Sequence, residues 1–264
     1  MNMDLCSVLV NTCDKYEDAW YPFFELVKRH WGKCDFPFYL NTETKHYSHS
    51  GINLTVLNTS DEKNAWGKRI KECLVKIDTA YVVLLLEDFF LQKDVDENEL
   101  YNCIKIMESN PQMTAIYFKH TTGFNYPSQK YPKYYEMIEN KDCKLNLQAG
   151  LWRKDDLFSL VGDDDSPWTF ETEGYKRVKP EQVFLCSKDG THTNLENCVF
   201  PYLTDRRLGY GIWGGKWLWN NEKLFKKNGI NLSDISMERF GRADLLVYYC
   251  KRLKEKVYTK NHHE

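Results

Sequence analysis

The chain has 264 residues, with 36 Lys+Arg against 38 Asp+Glu and a formal charge of −2. That length suffices for a sizeable buried core, and 42% hydrophobic with 28% charged residues excludes a disordered chain. The near-neutral balance argues against a dedicated nucleic-acid binder, so no nucleic acid is expected as a partner.

Leu5–Val10 is a short apolar run that reads as a buried strand, followed by the polar turn Asn11–Lys15. An amphipathic helix is expected from about Asp18 to His30, with Pro22 in its first turn. Phe38–Leu40 and Leu54–Leu57 read as strands. A second helix covers roughly Asn64 to Ile77, where Trp66, Ile70, Cys73, Leu74 and Ile77 share one face. Tyr81–Leu86 is apolar at every position, the pattern of a central strand covered on both sides, and it ends abruptly in Glu87-Asp88. It is also the longest apolar stretch and is far too short to span a bilayer. A helix around Asp96–Glu108 and a strand at Ala115–Phe118 complete an alternation that implies an α/β sheet with right-handed crossovers.

After residue 120 the pattern loosens. Thr121–Lys133 reads as a long loop, Leu147–Trp152 as a strand, Asp155–Val161 as a short helix and Asp163–Pro167 as a turn. A Gly-rich Leu208–Trp217 segment and a helix near Arg242–Val257 follow. No linker is evident. The expected division is one domain over residues 1–240 and a C-terminal helix and tail over 241–264.

The nine cysteines show no Cys-x-x-Cys pair or zinc-finger spacing, and Cys6, Cys73 and Cys250 fall inside apolar patterns as small buried hydrophobes. Asp4 interrupts the start, which does not read as a signal peptide, so a reducing cytosol is the expected compartment. The aromatic fraction, 15%, fits a ring-rich core or flat walls for a sugar or nucleotide.

Four segments carry the chemistry. Glu87 and Asp88 end the most buried strand, where open α/β sheets bind ligands, and can hold a divalent cation and through it a diphosphate. Polar strand ends are common, and the pair alone is a weak signal. Ser166-Pro167-Trp168-Thr169-Phe170-Glu171-Thr172-Glu173 sets two acids among aromatic rings. A partly desolvated carboxylate there suits a general base for a sugar hydroxyl, and a helix start with acids in its first turn is an equally weighted alternative. Gly209-Tyr210-Gly211-Ile212-Trp213-Gly214-Gly215-Lys216-Trp217 could bring Lys216 to a phosphate, or be an ordinary turn, since it lacks the Gly-Lys-Ser/Thr ending of a phosphate loop. Asn11-Thr12-Cys13-Asp14 is placed to meet a nucleotide. Cys13 as a nucleophile and Arg69 as a cleft-facing cation stand against a plain thiol and an exposed helix cation. There is no Gly-x-Gly-x-x-Gly, Gly-x-Ser-x-Gly or His-Glu-x-x-His. Asp163–Asp165, His120 and His192 read as surface or satisfied groups, and His262-His263-Glu264 as a frayed tail.

The first strand with its Asn-Thr-Cys-Asp turn, Trp66-Gly-Lys-Arg69, Tyr81–Phe90 (YVVLLLEDFF), Gln148–Trp152 and Ser166–Glu171 (SPWTFE) resemble GT-A-fold glycosyltransferases. The group they look most like is the bacterial capsule and lipopolysaccharide glycosyltransferase-like proteins, over roughly residues 5–235. The resemblance implies a Rossmann-like, mixed, mostly parallel central sheet flanked by helices, with a C-terminal helical extension. It also implies sugar transfer from a nucleotide-sugar donor, UDP-linked as the commonest choice, to a glycan or lipid-linked acceptor in surface polysaccharide synthesis, with inversion. Thr12, Cys13, Asp14, Arg69, Glu87, Asp88 and Lys216 would line the donor site. Glu171 would be the catalytic base, with Glu173 as substitute, and Glu87 and Asp88 would hold Mn2+ or Mg2+. Phe89 stands where an Asp-x-Asp motif has its last acid, so Arg69 and Lys216 are the alternative charge partners of the leaving group. Other readings are a non-catalytic carbohydrate-binding protein and a sugar-nucleotide nucleotidyltransferase; the latter's basic Gly-rich loop is missing after the first strand. Lys251, Arg252, Lys254 and Lys256 among Leu245–Tyr249 and Leu253 permit a peripheral contact with the inner face of the membrane, although a packing helix with a solvated face is the favoured alternative.

Overall fold

A computed structural model describes residues 5–59, 66–190, 194–202, 211–233 and 236–250. Asn64, His192, Gly209, Tyr210 and everything beyond Cys250, including the basic residues of the expected C-terminal helix and the His262–Glu264 tail, lie outside the described residues.

The alternation expected for the first half is present. The strands are β1 (Cys6–Asn11), β2 (Phe38–Thr42), β3 (Leu54–Asn58) and β4 (Tyr81–Leu86); the helices are α1 (Glu17–His30), α2 (Trp66–Lys76) and α3 (Glu97–Ser109). Pro22 is the sixth residue of α1, beyond the first turn where the sequence placed it. The carbonyl of Asp18 thereby loses its helical donor, and the burial of Trp20, Phe23, Phe24, Leu26 and Val27 holds the helix in place. Asp96 caps α3 by accepting from the Glu99 amide at 3.0 Å.

The second half adds β5 (Met113–Tyr117), β6 (Tyr126–Pro127), β7 (Tyr134–Glu136), β8 (Gly150–Arg153) and β9 (Val183–Ser187). The helices α4 (Lys154–Leu160), α5 (Pro167–Glu173) and α6 (Trp219–Lys227) belong here too, with the small hairpin β10 (Ile212–Trp213) and β11 (Lys216–Trp217). Residues 242–250 are helical as expected. The strand expected at Leu147–Trp152 begins only at Gly150, and the two-residue β6 interrupts the expected loop Thr121–Lys133, with β7 directly after it.

Nine strands form one sheet in the order β3-β2-β1-β4-β8-β5-β9-β7-β6. The pairings make β7 and β8 the two strands opposed to the other seven, so the sheet is mixed but mostly parallel in direction, with a Rossmann-like β3-β2-β1-β4 half. Strand alternation sends Val8, Val10, Val83 and Leu85 to a core with α1 and α3, and Leu9, Val82 and Leu84 to a core with α2 and α4. Each face is thus covered by helices, as a strand apolar at every position requires.

The nine cysteines are free. Cys6 and Cys73 are buried as expected, while Cys250 is exposed because its helix packs on the hairpin through Leu245 and Tyr248 instead. Among the described residues no helix is long and apolar enough to cross a membrane.

Candidate active site

The carboxyl ends of β1 and β4 are direct neighbours: Asn11 pairs with Leu86, so Thr12 comes beside Glu87. The chain turns away at both ends and leaves a cleft of about 520 Å³. Thr12, Cys13, Arg69, Glu87, Asp88 and Glu171 all line it, brought together from four separate stretches of sequence. Asp14, Glu173 and Lys216 do not line it.

Glu87 and Asp88 form the floor and are almost fully buried. Burial, and for Glu87 the neighbouring Asp88 charge, push the pair well above the ordinary carboxylate range. The Thr12 hydroxyl and Arg69 act in the opposite sense on Glu87, and the Ile212 amide, donating to Asp88 Oδ2 at 3.2 Å, does so on Asp88. Such a pair is costly to charge fully without a cation. Among the described residues no cluster of three or more His, Cys, Asp or Glu could hold a metal ion. Two carboxylates fit a Mg2+ or Mn2+ that keeps waters and takes its remaining oxygens from a diphosphate.

The turn after β1 is braced by a continuous hydrogen-bond chain. Asn41 Nδ2 donates to Asn11 Oδ1 at 2.7 Å, Thr59 Oγ1 to Asn41 Oδ1 at 2.8 Å, and Arg69 Nε to Thr59 Oγ1 at 3.1 Å. Arg69 Nη2 also donates to the Thr12 carbonyl at 2.8 Å, and Nη1 pairs with Glu43 Oε1 at 2.8 Å. Arg69 is therefore not the exposed helix cation of the alternative reading: it is 6% exposed and fixed by three neighbouring loops. Thr12 Oγ1 in turn accepts from Trp20 Nε1 at 3.0 Å. Cys13 lines the cleft, and burial with the nearby Glu87 and Glu43 pushes its thiol up to about 11, which opposes the thiolate a nucleophile needs.

Asp14 does other work. It accepts from the amides of Glu43 and Thr44 at 3.0 Å and from the Thr44 hydroxyl at 2.6 Å, tying the loop after β2 to the turn after β1. Its slight burial opposes the charge, but these bonds and those from Lys45 outweigh it and hold the carboxyl below its ordinary value.

On the opposite side, α5 starts with Pro167 and a reciprocal Ser166–Thr169 capping box. The segment is a capped helix start, but its first turn carries no acid: Glu171 and Glu173 are the fifth and seventh residues of the helix, so the expected first-turn acids are not found. Pro167, Trp168 and Glu171 line the cleft. Glu173 lies about 200° further round the helix axis and pairs with Lys176 at the surface. Glu171 Oε1 accepts from the Leu147 amide at 2.9 Å, and burial raises its carboxyl above the ordinary value.

The hairpin closes the remaining side through Ile212, Trp213 and Gly214. Gly214 and Gly215 have φ of 59° and 80°, as its two-residue turn demands. A Cβ on Gly211 would lie 2.4 Å from Phe90 and 2.9 Å from the Asp88 carbonyl, so only glycine lets the segment approach the strand end. Lys216 pairs instead with Glu238 and Asp244, each at 3.0 Å. Sequence reasoning passed over Tyr16 and Leu147. Tyr16 sits in the first turn after β1, and the run of polar residues there was the available signal.

No family model matches the chain, and no curated protein matches it by sequence. Among solved structures it is similar to Staphylococcus aureus TarS (S. aureus), with 13% identity, TM-score 0.43, and 71% of this chain against 36% of that one. For S. aureus TarS 1-349 in complex with UDP-GlcNAc the values are 14%, 0.40, 71% and 60%. A cytidylyltransferase from Leptospira borgpetersenii gives 10%, 0.37, 63% and 67%. The chain spans less than two thirds of the length of these TarS chains.

Proposed function

We propose that the protein is a GT-A-type glycosyltransferase that moves a hexosyl group from a nucleoside diphosphate donor, UDP-linked, to a glycan or lipid-linked acceptor of a surface polysaccharide, with inversion. The observation that carries the reading is the buried Glu87-Asp88 pair at the carboxyl end of the central strand, in one cleft with the β1 turn and with Glu171. The sequence resemblance of the same segments supports it.

In this reading the nucleotide lies against Thr12 and Cys13 at the braced turn, and its diphosphate lies over Glu87 and Asp88. A divalent cation there would neutralise charge growing on the leaving diphosphate. Glu171 takes the proton of an acceptor hydroxyl. The acceptor oxygen bonds to the anomeric carbon as the bond from that carbon to the phosphate oxygen breaks, and the electron pair leaves with the nucleoside diphosphate. The half-buried Glu171, with one oxygen fixed by Leu147, is both oriented and more basic than a solvated carboxylate. Asp14 and Arg69 serve by holding the turn, and the ion-paired Lys216 by holding the hairpin.

Thermal unfolding with UDP, with and without Mn2+, tests the donor site. At ligand about 100-fold above Kd, stabilisation of roughly 2.7 kcal/mol is expected, which is about 5–10 °C for a chain of this size. Absence of any shift with UDP, CDP, GDP and ADP, each with Mn2+, refutes the reading.

A further inference from the structure

Trp168 is the cleft residue that the fold itself does not use. It is 76% exposed, whereas Phe170, two positions on, is buried against Trp66 and Trp152. Among the described residues no aromatic ring stacks on Trp168. Leaving an indole in water forgoes one of the largest burial contributions a side chain can make. Its backbone is nevertheless firmly set: Pro167 precedes it, the Ser166–Thr169 box caps its turn, and its carbonyl accepts from Thr172 Oγ1 at 2.9 Å. Trp168 and Glu171 are three residues apart on one helix and line the same cleft, so the ring and the carboxylate are neighbours on one face.

Its neighbours along the chain, Ser166, Thr169 and Thr172, are polar, and the Glu171 carboxylate shares its side of a cleft that also carries Leu147, Ile212 and Trp213. A lipid tail would call for a continuous apolar groove. A pyranose has a flat C–H face for the indole and a rim of hydroxyls for its polar neighbours. We infer that Trp168 is the platform of an acceptor-saccharide subsite, on which a pyranose ring stacks so that one of its hydroxyls is presented to Glu171. The inference rests on the transfer reading above and gives it a substrate class: the acceptor is recognised through a sugar ring and not through a lipid chain.

Saturation-transfer NMR with methyl β-D-galactopyranoside and methyl β-D-glucopyranoside at millimolar concentration, with and without UDP, tests it. With the wild-type protein the H3, H4 and H5 protons of at least one glycoside should receive the strongest saturation. Trp168→Ala should weaken this by about fivefold or more, and Trp168→Phe should retain most of it. Calorimetric UDP affinity should stay within about twofold in both variants, which also reports an intact fold. Unchanged glycoside saturation in Trp168→Ala overturns the inference, as does a wild-type protein that binds neither glycoside. So does a loss of UDP affinity of tenfold or more in Trp168→Ala, which would make Trp168 a wall of the donor site. With octyl β-D-glucopyranoside, saturation confined to the alkyl chain also overturns it. A wild-type protein that binds a glycoside through Trp168 but no nucleotide keeps the saccharide subsite and removes the donor reading.

Discussion

The two sides of the cleft are built in opposite ways. On the β1 side, Asn11, Asn41, Thr59 and Arg69 form a buried chain of hydrogen bonds that crosses three strand ends and reaches α2. Nothing there moves without breaking several bonds at once. On the other side, α5 is seven residues long, its Trp168 is exposed, and the hairpin turns on two glycines. Toward the cleft that side shows the Leu147 amide bond to Glu171 and the Ile212 amide bond to Asp88, and its anchors lie behind, in the buried Phe170 and in Asn221 donating to the Gly211 carbonyl. The difference teaches how such a cleft divides its tasks. A fixed wall suits the part of a substrate that never varies, and a lightly tethered wall suits the part that must arrive, react and leave.

The comparison breaks most readily at Glu171. Glu171→Gln keeps the shape and the bond from the Leu147 amide but removes the base. Transfer should fall by about 10²–10⁴-fold while donor affinity stays within about twofold. The pH profile gives the sign. Because burial raises the Glu171 carboxyl, the acid limb of the wild-type rate should lie above the ordinary carboxylate range, with activity lost as pH falls through it. A Gln variant with near-normal turnover would remove Glu171 from the chemistry.

The fixed side is broken by Arg69→Leu, which strands Glu43, Thr59 and the Thr12 carbonyl together. Breaking a buried ion pair of this kind should cost about 3 kcal/mol, lowering Tm by roughly 6–12 °C. Urea unfolding of the two proteins measures it. A cost under about 1 kcal/mol would place this pair with ordinary surface ion pairs and abolish the contrast between the two sides.

The fixed side is also the side the sequence displays best. In β1 as far as Val10 and throughout β4 every residue is apolar or small because both faces are covered, and α1, α2 and α3 each carry one apolar stripe. Burial on both faces therefore leaves a local trace. The antiparallel insertion of β8 between β4 and β5 leaves none, since strand order is settled by contacts distant in sequence. The five residues of β9 and the aromatic β7 are too short to show a period. At the site, the acids after β4 stand out because the apolar run stops there. Where Asp14 and Lys216 point depends on residues 43–45 and on Glu238 and Asp244, which no local pattern connects to them. Arg69 escapes the pattern for the same reason: a cation on α2 looks solvent-facing until Glu43 and Thr59 arrive from other strands.

The smallest expected effect belongs to Lys216, and it sharpens the contrast from the lightly tethered side. Its ammonium pairs with Glu238 and Asp244, and the hydrogen bonds it donates to Glu238 and then to Asp244 raise its pKa above the ordinary lysine value. Both pairs are at the surface, where screening leaves little net stabilisation, so Lys216→Met should shift Tm by no more than about 2 °C. UDP affinity should also change by less than about twofold, because the side chain is occupied outside the cleft. If affinity instead drops tenfold or more, and the drop shrinks in high salt, the ammonium must leave Glu238 and Asp244 to meet the diphosphate. The hairpin would then be a moving part whose resting position is held by those two acids, and the looseness of this side would be part of how the donor is gripped.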